Sequence, residues 1–249
     1  MCLSYYMKKL KLIYALLPLL AFTSCKKDSP VKPVTPTKPV IAAVSDSVAY
    51  TIDGVTYTAG GMFLSHLSSG TEDANRKLVY PDSTNKYAYA LVGKPDSVLF
   101  FEKHTIFSKS ANINIFFVKK FFRQQTPLNF PGLKSVLTLF TVGKHPLAED
   151  FEWQNSQNGI AIDVAVSDNK GYSSYNSYDG PATVVIPPGF QKNSSFEITS
   201  FVHATDGFGG YNLEAKFTAV LFNRNGEQKK LENGYLRLHI DPTYAVNGI

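Results

Sequence analysis

An antiparallel all-β domain with one short α-helix is the fold class this sequence predicts, on three observations. Apolar and polar residues alternate over many short stretches, the period-two pattern of half-buried strands. Turn dipeptides, among them Asp53-Gly54, Asn225-Gly226 and Asn233-Gly234, punctuate those stretches. Only the segment from Pro131 to Gly143 has convincing helical spacing. Short strands with so little helix pack as a β-sandwich, immunoglobulin-like or jelly-roll-like in type.

Val48, Tyr50 and Ile52 alternate before Asp53-Gly54, and Val55 and Tyr57 after it. Asp-Gly suits a two-residue hairpin because both central positions need positive φ. Strands are expected over Tyr87 to Val92, Val98 to Phe107 and Ile113 to Val118. FFVKKFFR, Phe116 to Arg123, reads as a strand end packed by phenylalanines. In the helix, Pro131 fits the first turn, Leu133, Val136, Leu137 and Phe140 share a face, and Gly143 stops it. Ile160, Ile162, Val164 and Val166 then point one way, with Asp163 opposite. Phe196, Ile198, Ser200 and Val202 form a mixed face, and Leu213, Ala215, Phe217, Ala219 and Leu221 an apolar stripe. Asn225-Gly226 turns the chain, and Asn233-Gly234 marks a bulge or a second turn. Leu236, Leu238 and Ile240 face inward, leaving Tyr235, Arg237 and His239 outside.

Ahead of this body stands MKKLKLIYALLPLLAFTSC, Met7 to Cys25. Lysines, an apolar run too short to span a bilayer, two small residues and a cysteine are the layout of an export leader. Met1 to Tyr6 place uncharged residues before the lysines, which points to translation starting at Met7. The leader resembles a bacterial lipoprotein signal, and the resemblance implies removal of residues 1–24 and lipid on Cys25. Residues 25–43 form a tether in which Pro30, Pro33, Pro36 and Pro39 recur every third position, the turn of a polyproline II spacer. Residues 44–249 are the sandwich.

The chain has two cysteines. Cys2 goes with the leader and Cys25 is expected to carry lipid, so no internal disulfide is available. Removing Lys8, Lys9 and Lys11 with the leader takes the formal charge from +5 to +2. Lys26, Lys27, Lys32 and Lys38 against Asp28 keep the positive charge in the tether, so the body from Ala42 onward stands at −1. Basic residues therefore sit where a membrane surface would be, and a nucleic-acid partner is not expected.

SCKKD followed by a Pro-rich tether resembles lipoproteins of the Bacteroidetes. GIAIDVAVSDNKGYSSYNS, SSFEITSF and LEAKFTAVLFNRNGEQKKLENGYLRLHI, roughly Asn158 to Ile240, look like a domain of unknown function found in small lipoproteins of that group. These resemblances imply a β-sandwich held by lipid at the outer membrane, facing the periplasm or the cell surface, and they give no catalytic residue to carry over. Asp46-Ser47-Val48, Asp82-Ser83-Thr84 and Asp96-Ser97-Val98 resemble a short O-glycosylation pattern of the same group, placing sugar on Ser47, Ser83 or Ser97.

Candidate chemistry is sparse. GYSSYNSYDG presents Tyr172, Tyr175 and Tyr178 among Ser and Asn, a composition suited to a binding loop for glycans, against the plainer reading of tyrosines covering a sheet edge. The loop Asp206 to Tyr211 would lie nearby. Glu149, Asp150 and Glu152 beside Trp153 give the alternative, an envelope hydrolase of polysaccharide, or simply a solvated loop. His203 with Asp206 and His239 with Asp241 could assemble a metal site if their strands pair, although the third or fourth ligand such sites normally need is not identified. The expectation is a non-catalytic binding or structural module, with no cofactor or metal, whose partners are the membrane and a glycan or another envelope protein.

Overall fold

In the computed structural model of the chain, the residues described are 46–62, 66–74, 76–79, 88–91, 96–109, 112–126, 130–149, 158–166, 170–175, 189–205 and 209–241. The leader, Cys25 and the tether lie outside them, as do Ser83, Asp150, Glu152, Trp153, Tyr178 and Asp206. Thirteen strands form among the described residues: β1 (Asp46–Ile52), β2 (Val55–Met62), β3 (His66–Asp73), β4 (Arg76–Val79), β5 (Ala88–Leu91), β6 (Ser97–Phe107), β7 (Asn112–Phe122), β8 (Gly143–His145), β9 (Gly159–Ala165), β10 (Gly171–Ser173), β11 (Ser195–His203), β12 (Tyr211–Phe222) and β13 (Gln228–Ile240).

The antiparallel β class holds. Eleven strands join one sheet curled into a half-barrel, in the order β2-β1-β13-β12-β10-β9-β7-β6-β3, with β11 and β8 branching from β12, and β4 and β5 pair separately. Among the described strands the first is thus hydrogen-bonded to the last, β1 to β13. Inward stripes from β1, β6, β7, β9, β11, β12 and β13 meet in one core, where Phe100, Phe117, Phe140, Phe196 and Leu238 are fully buried. Leu99, Phe116, Val118, Ala148, Ala161 and Tyr175 form a smaller cluster of their own. Adjacent Phe116 and Phe117 serve one cluster each, so β7 is apolar on both sides there; at the strand end Phe121 packs on the core, but Phe122, expected to pack as well, is 63% exposed.

Three further local expectations need correction. The helix is one α-turn, α1 (Leu133–Val136), tightening into a 3₁₀ turn over Leu137–Phe140. Three residues per turn bring Val136 and Leu139 into line. Leu139 is therefore buried, and Leu133, expected on the inward face, is 43% exposed. In β11, the register slips between Ile198 and Ser200. Such a bulge swaps the faces of the residues beyond it, so Phe201 packs against the core and Val202 is 55% exposed. His239, expected outside, is 8% exposed: its ring lies against the turn at Gly210, and its backbone N–H donates to the buried Asp46 carboxylate at 2.5 Å.

Candidate functional site

The tyrosine segment builds a site instead of displaying rings. β10 runs antiparallel to β9, with Gly171 opposite Ala165, Tyr172 opposite Val164 and Ser173 opposite Asp163. It touches β12 at one pair, Ser173 with Phe222. Alternation turns Tyr172 into the main core, where it is 1% exposed. Its phenol hydrogen-bonds to Glu227, and the Lys229 ammonium stands 5.5 Å from its ring centroid. Burial, then that hydrogen bond, pushes the Tyr172 pKa up. The bond to Tyr172 in turn lowers that of Glu227. Lys229 also reaches Asp53 at 2.5 Å, and this contact raises the lysine above its usual range. The group ties the Asp53-Gly54 hairpin to the end of β12.

Tyr175 goes to the other side of the sheet, into the smaller cluster. It meets Phe116 edge-on at 6.2 Å and donates to Asp163 Oδ2 at 2.9 Å. Between the two rings, buried Ser174 exchanges hydrogen bonds with Ile162: its Oγ accepts the Ile162 N–H and its own N–H donates to the Ile162 carbonyl, each at 2.8 Å. The expectation of exposed tyrosines is therefore corrected for Tyr172 and Tyr175. Each has an apolar bed for its ring and a carboxylate for its hydroxyl.

Their burial shapes a cleft of about 260 Å³ at the surface of the sheet. Asn112 and Asn114 enter it from β7, Asp163 and Ala165 from β9, and Gly171 and Ser173 from β10. Tyr175 and Phe222 contribute aromatic surface and Arg224 a cation. Thr105 donates to Asn114 Oδ1 at 2.6 Å, as Tyr175 does to Asp163, so two of the polar groups are held in fixed orientations. Amide, carboxylate, hydroxyl and guanidinium groups on a concave patch suit a polar ligand held by several hydrogen bonds. Sequence reading missed Asn112 and Asn114. Their signal was the alternation Asn-Ile-Asn-Ile at the start of β7, but the residues lying across the sheet from them depend on register.

The other candidates separate. Glu149 accepts the Gly189 N–H at 2.6 Å and the Gln191 N–H at 3.0 Å, one on each carboxylate oxygen. It caps the turn that leads into β11. β11 and β13 do not pair, because β12 lies between them. His203 instead packs against Tyr211, the rings tilted by 31° with centroids 4.3 Å apart, and the condition for a joint site with His239 fails. No group of three or more His, Cys, Asp or Glu able to hold a metal occurs among the described residues. Tyr211 opens β12 while Phe222, beside the cleft, closes it, so the Asp206 to Tyr211 loop is attached at the far end of that strand from Tyr172. Ser47 is half-buried in β1 between Arg237 and Gly60, whereas Ser97 opens β6 with its hydroxyl on Asp96 at 2.9 Å. Comparison with protein families, curated proteins and solved structures returns no match to this chain.

Proposed function

We propose that the chain is a lipoprotein of the Bacteroidetes envelope, lipidated at Cys25 and tethered through residues 25–43 to the outer membrane, and that its β domain is a non-catalytic module binding glycans. The observation that carries the binding reading is the cleft, where oriented polar groups converge beside aromatic surface. Sugar hydroxyls need such donors and acceptors, and the apolar faces of sugar rings need aromatic or small-residue surface. The hydrolase alternative is less well supported, since Glu149 is committed to a turn. The anchor rests on the leader pattern, and several acyl chains on one cysteine hold a soluble domain durably at a membrane. We also assign the flanks of the curled sheet to the two layers of an immunoglobulin-like or jelly-roll-like sandwich. Support comes from the shared core between the β1, β12 and β13 stripes and those of β6, β7 and β9.

Two experiments test this. Radiolabelled palmitate should enter the protein in its host and fail to enter Cys25→Ala, which should also leave the membrane fraction; label in the variant refutes the anchor. Full-length protein in detergent should bind members of a glycan array, and Asn114→Ala should abolish those hits without changing the melting temperature by more than a few degrees. Hits that survive Asn114→Ala and Asp163→Ala would place binding elsewhere.

A further inference from the structure

The cleft floor is laid out in rows across the strands, and we infer that its ligand is an extended, unbranched oligosaccharide lying perpendicular to β6, β7, β9 and β10, with one ring stacked on Phe107. This rests on the glycan reading and specifies it. Antiparallel register makes the rows. Phe107, Asn112, Ala165 and Gly171 are successive cross-strand partners, and so are Thr105, Asn114, Asp163 and Ser173. Directly paired residues share a face, so each row points to the same side of the sheet. With strands about 4.8 Å apart, a row of four spans roughly 14 Å. A sugar ring is about as wide as one strand spacing, so an oligosaccharide laid along a row meets a new side chain with each unit.

The two rows differ in height and chemistry. The first is low: nothing lies within 4 Å of where a Cβ on Gly171 would stand, and Ala165 carries only a methyl group. At its other end Phe107 is 50% exposed, a large apolar side chain left open beside a polar cleft. The second row is polar and half-buried, and its Asn114 and Asp163 are oriented by Thr105 and Tyr175. A chain lying on Gly171, Ala165 and Asn112 would set its ring faces on the low strip and one edge of hydroxyls against the polar row. Tyr175 on Phe116 stands beyond that row, so substituents on that edge would collide with it. This is the reason to expect an unbranched ligand.

The test is titration of the full chain, in detergent, with malto-, cello-, laminari- and manno-oligosaccharides from mono- to hexasaccharide. One series should bind, with affinity rising at each added unit up to about the length of the row and flat beyond it. Phe107→Ala should remove the last rise, lowering affinity for the longer members roughly tenfold, the equivalent of reburying a half-exposed phenylalanine. Gly171→Val adds side chain to open space, so it should fold normally and block binding at every length. Length-independent affinity, or Phe107→Ala and Gly171→Val that bind like the wild type while Asn114→Ala does not, overturns the cross-strand assignment and leaves the glycan site standing. Failure of all four series to bind overturns it too, and if the array is also blank the glycan reading falls with it.

Discussion

Replacing Gln191 with Ala should unseat the point where β12 is shared between two neighbours. Along one edge of β12, β11 pairs up to Thr218 and β10 takes over at Phe222. Val220 sits between them, and the Gln191 carboxamide supplies the partner: its Oε1 accepts the Val220 N–H at 3.0 Å, and its Nε2 donates to the Val220 carbonyl at 2.7 Å and the Ser174 carbonyl at 2.8 Å. One side chain thus stands in for a missing stretch of strand. Gln191→Ala leaves three backbone groups without that partner. A buried unsatisfied group costs about 1–3 kcal/mol, and Val220 is near enough to water to recover part of its loss, so the total is about 2–4 kcal/mol. At about 2–4 °C per kcal/mol for a domain of this size, the melting temperature should fall by on the order of 10 °C. Gln191→Glu keeps the shape but faces two carbonyl oxygens with a carboxylate. Burial and those dipoles raise the introduced acid's pKa in the folded state, so its penalty is present at neutral pH and relieved as pH falls toward the unfolded value. Differential scanning calorimetry of both variants is the assay. A shift under about 2 °C for Gln191→Ala would show that the branch is not held this way.

The same neighbourhood and the core supply two further outcomes. Glu149→Ala should cost about 1–2 kcal/mol in denaturant titrations, with Glu149→Gln milder, because the loss is a turn cap with charged hydrogen bonds; combined with Gln191→Ala it should be less than additive, and an unchanged midpoint would free Glu149 for another role. Tyr50 is 1% exposed, and its hydroxyl has no hydrogen-bond partner among the described residues. Tyr50→Phe should therefore be neutral or stabilising by up to about 1 kcal/mol near pH 7. Burial, then the neighbouring Tyr57, raises the Tyr50 pKa above its ordinary 10.0. A raised folded-state pKa gives stability that is complete below the unfolded value and lost as pH climbs past it, so the variant's advantage should widen above about pH 10. Parallel stability curves for the two proteins across that range would refute this.

Local features were legible because their causes are local. Asp53 and Gly54 both take positive φ, 51° and 77°, as an Asp-Gly hairpin requires. At Asn233-Gly234 the pairing jumps from Phe217 opposite Gly234 to Ala219 opposite Leu231, a bulge. Glycine is needed there, since a Cβ would lie 2.6 Å from the Phe217 ring and carbonyl oxygen. The stripe Leu213, Ala215, Phe217, Ala219 and Leu221 is buried throughout. Features that depend on partners distant in sequence could not be read. Tyrosine composition suggested display, yet Tyr172 and Tyr175 are drawn in by Glu227 and Asp163, and no local pattern announces those pairings. Glu102 and His104, two apart on one face of β6, do bond locally at 2.8 Å, but their burial in the core depends on the strands packed over them. Asn114 joins Asp163 only through a register some fifty residues apart in the chain.

The bond between β1 and β13 has a temporal consequence. A chain delivered N-terminus first, whether from a ribosome or through a membrane pore, can close its opening hairpin at once. The outer flank of that hairpin must wait for the final strand, because nearly two hundred residues separate Ser47 from its partner Arg237. Contacts of such long separation form slowly. Folding is therefore gated by emergence of β13, and a polypeptide clipped before Gln228 would leave the Asp46–Ile52 edge exposed as a template for aggregation.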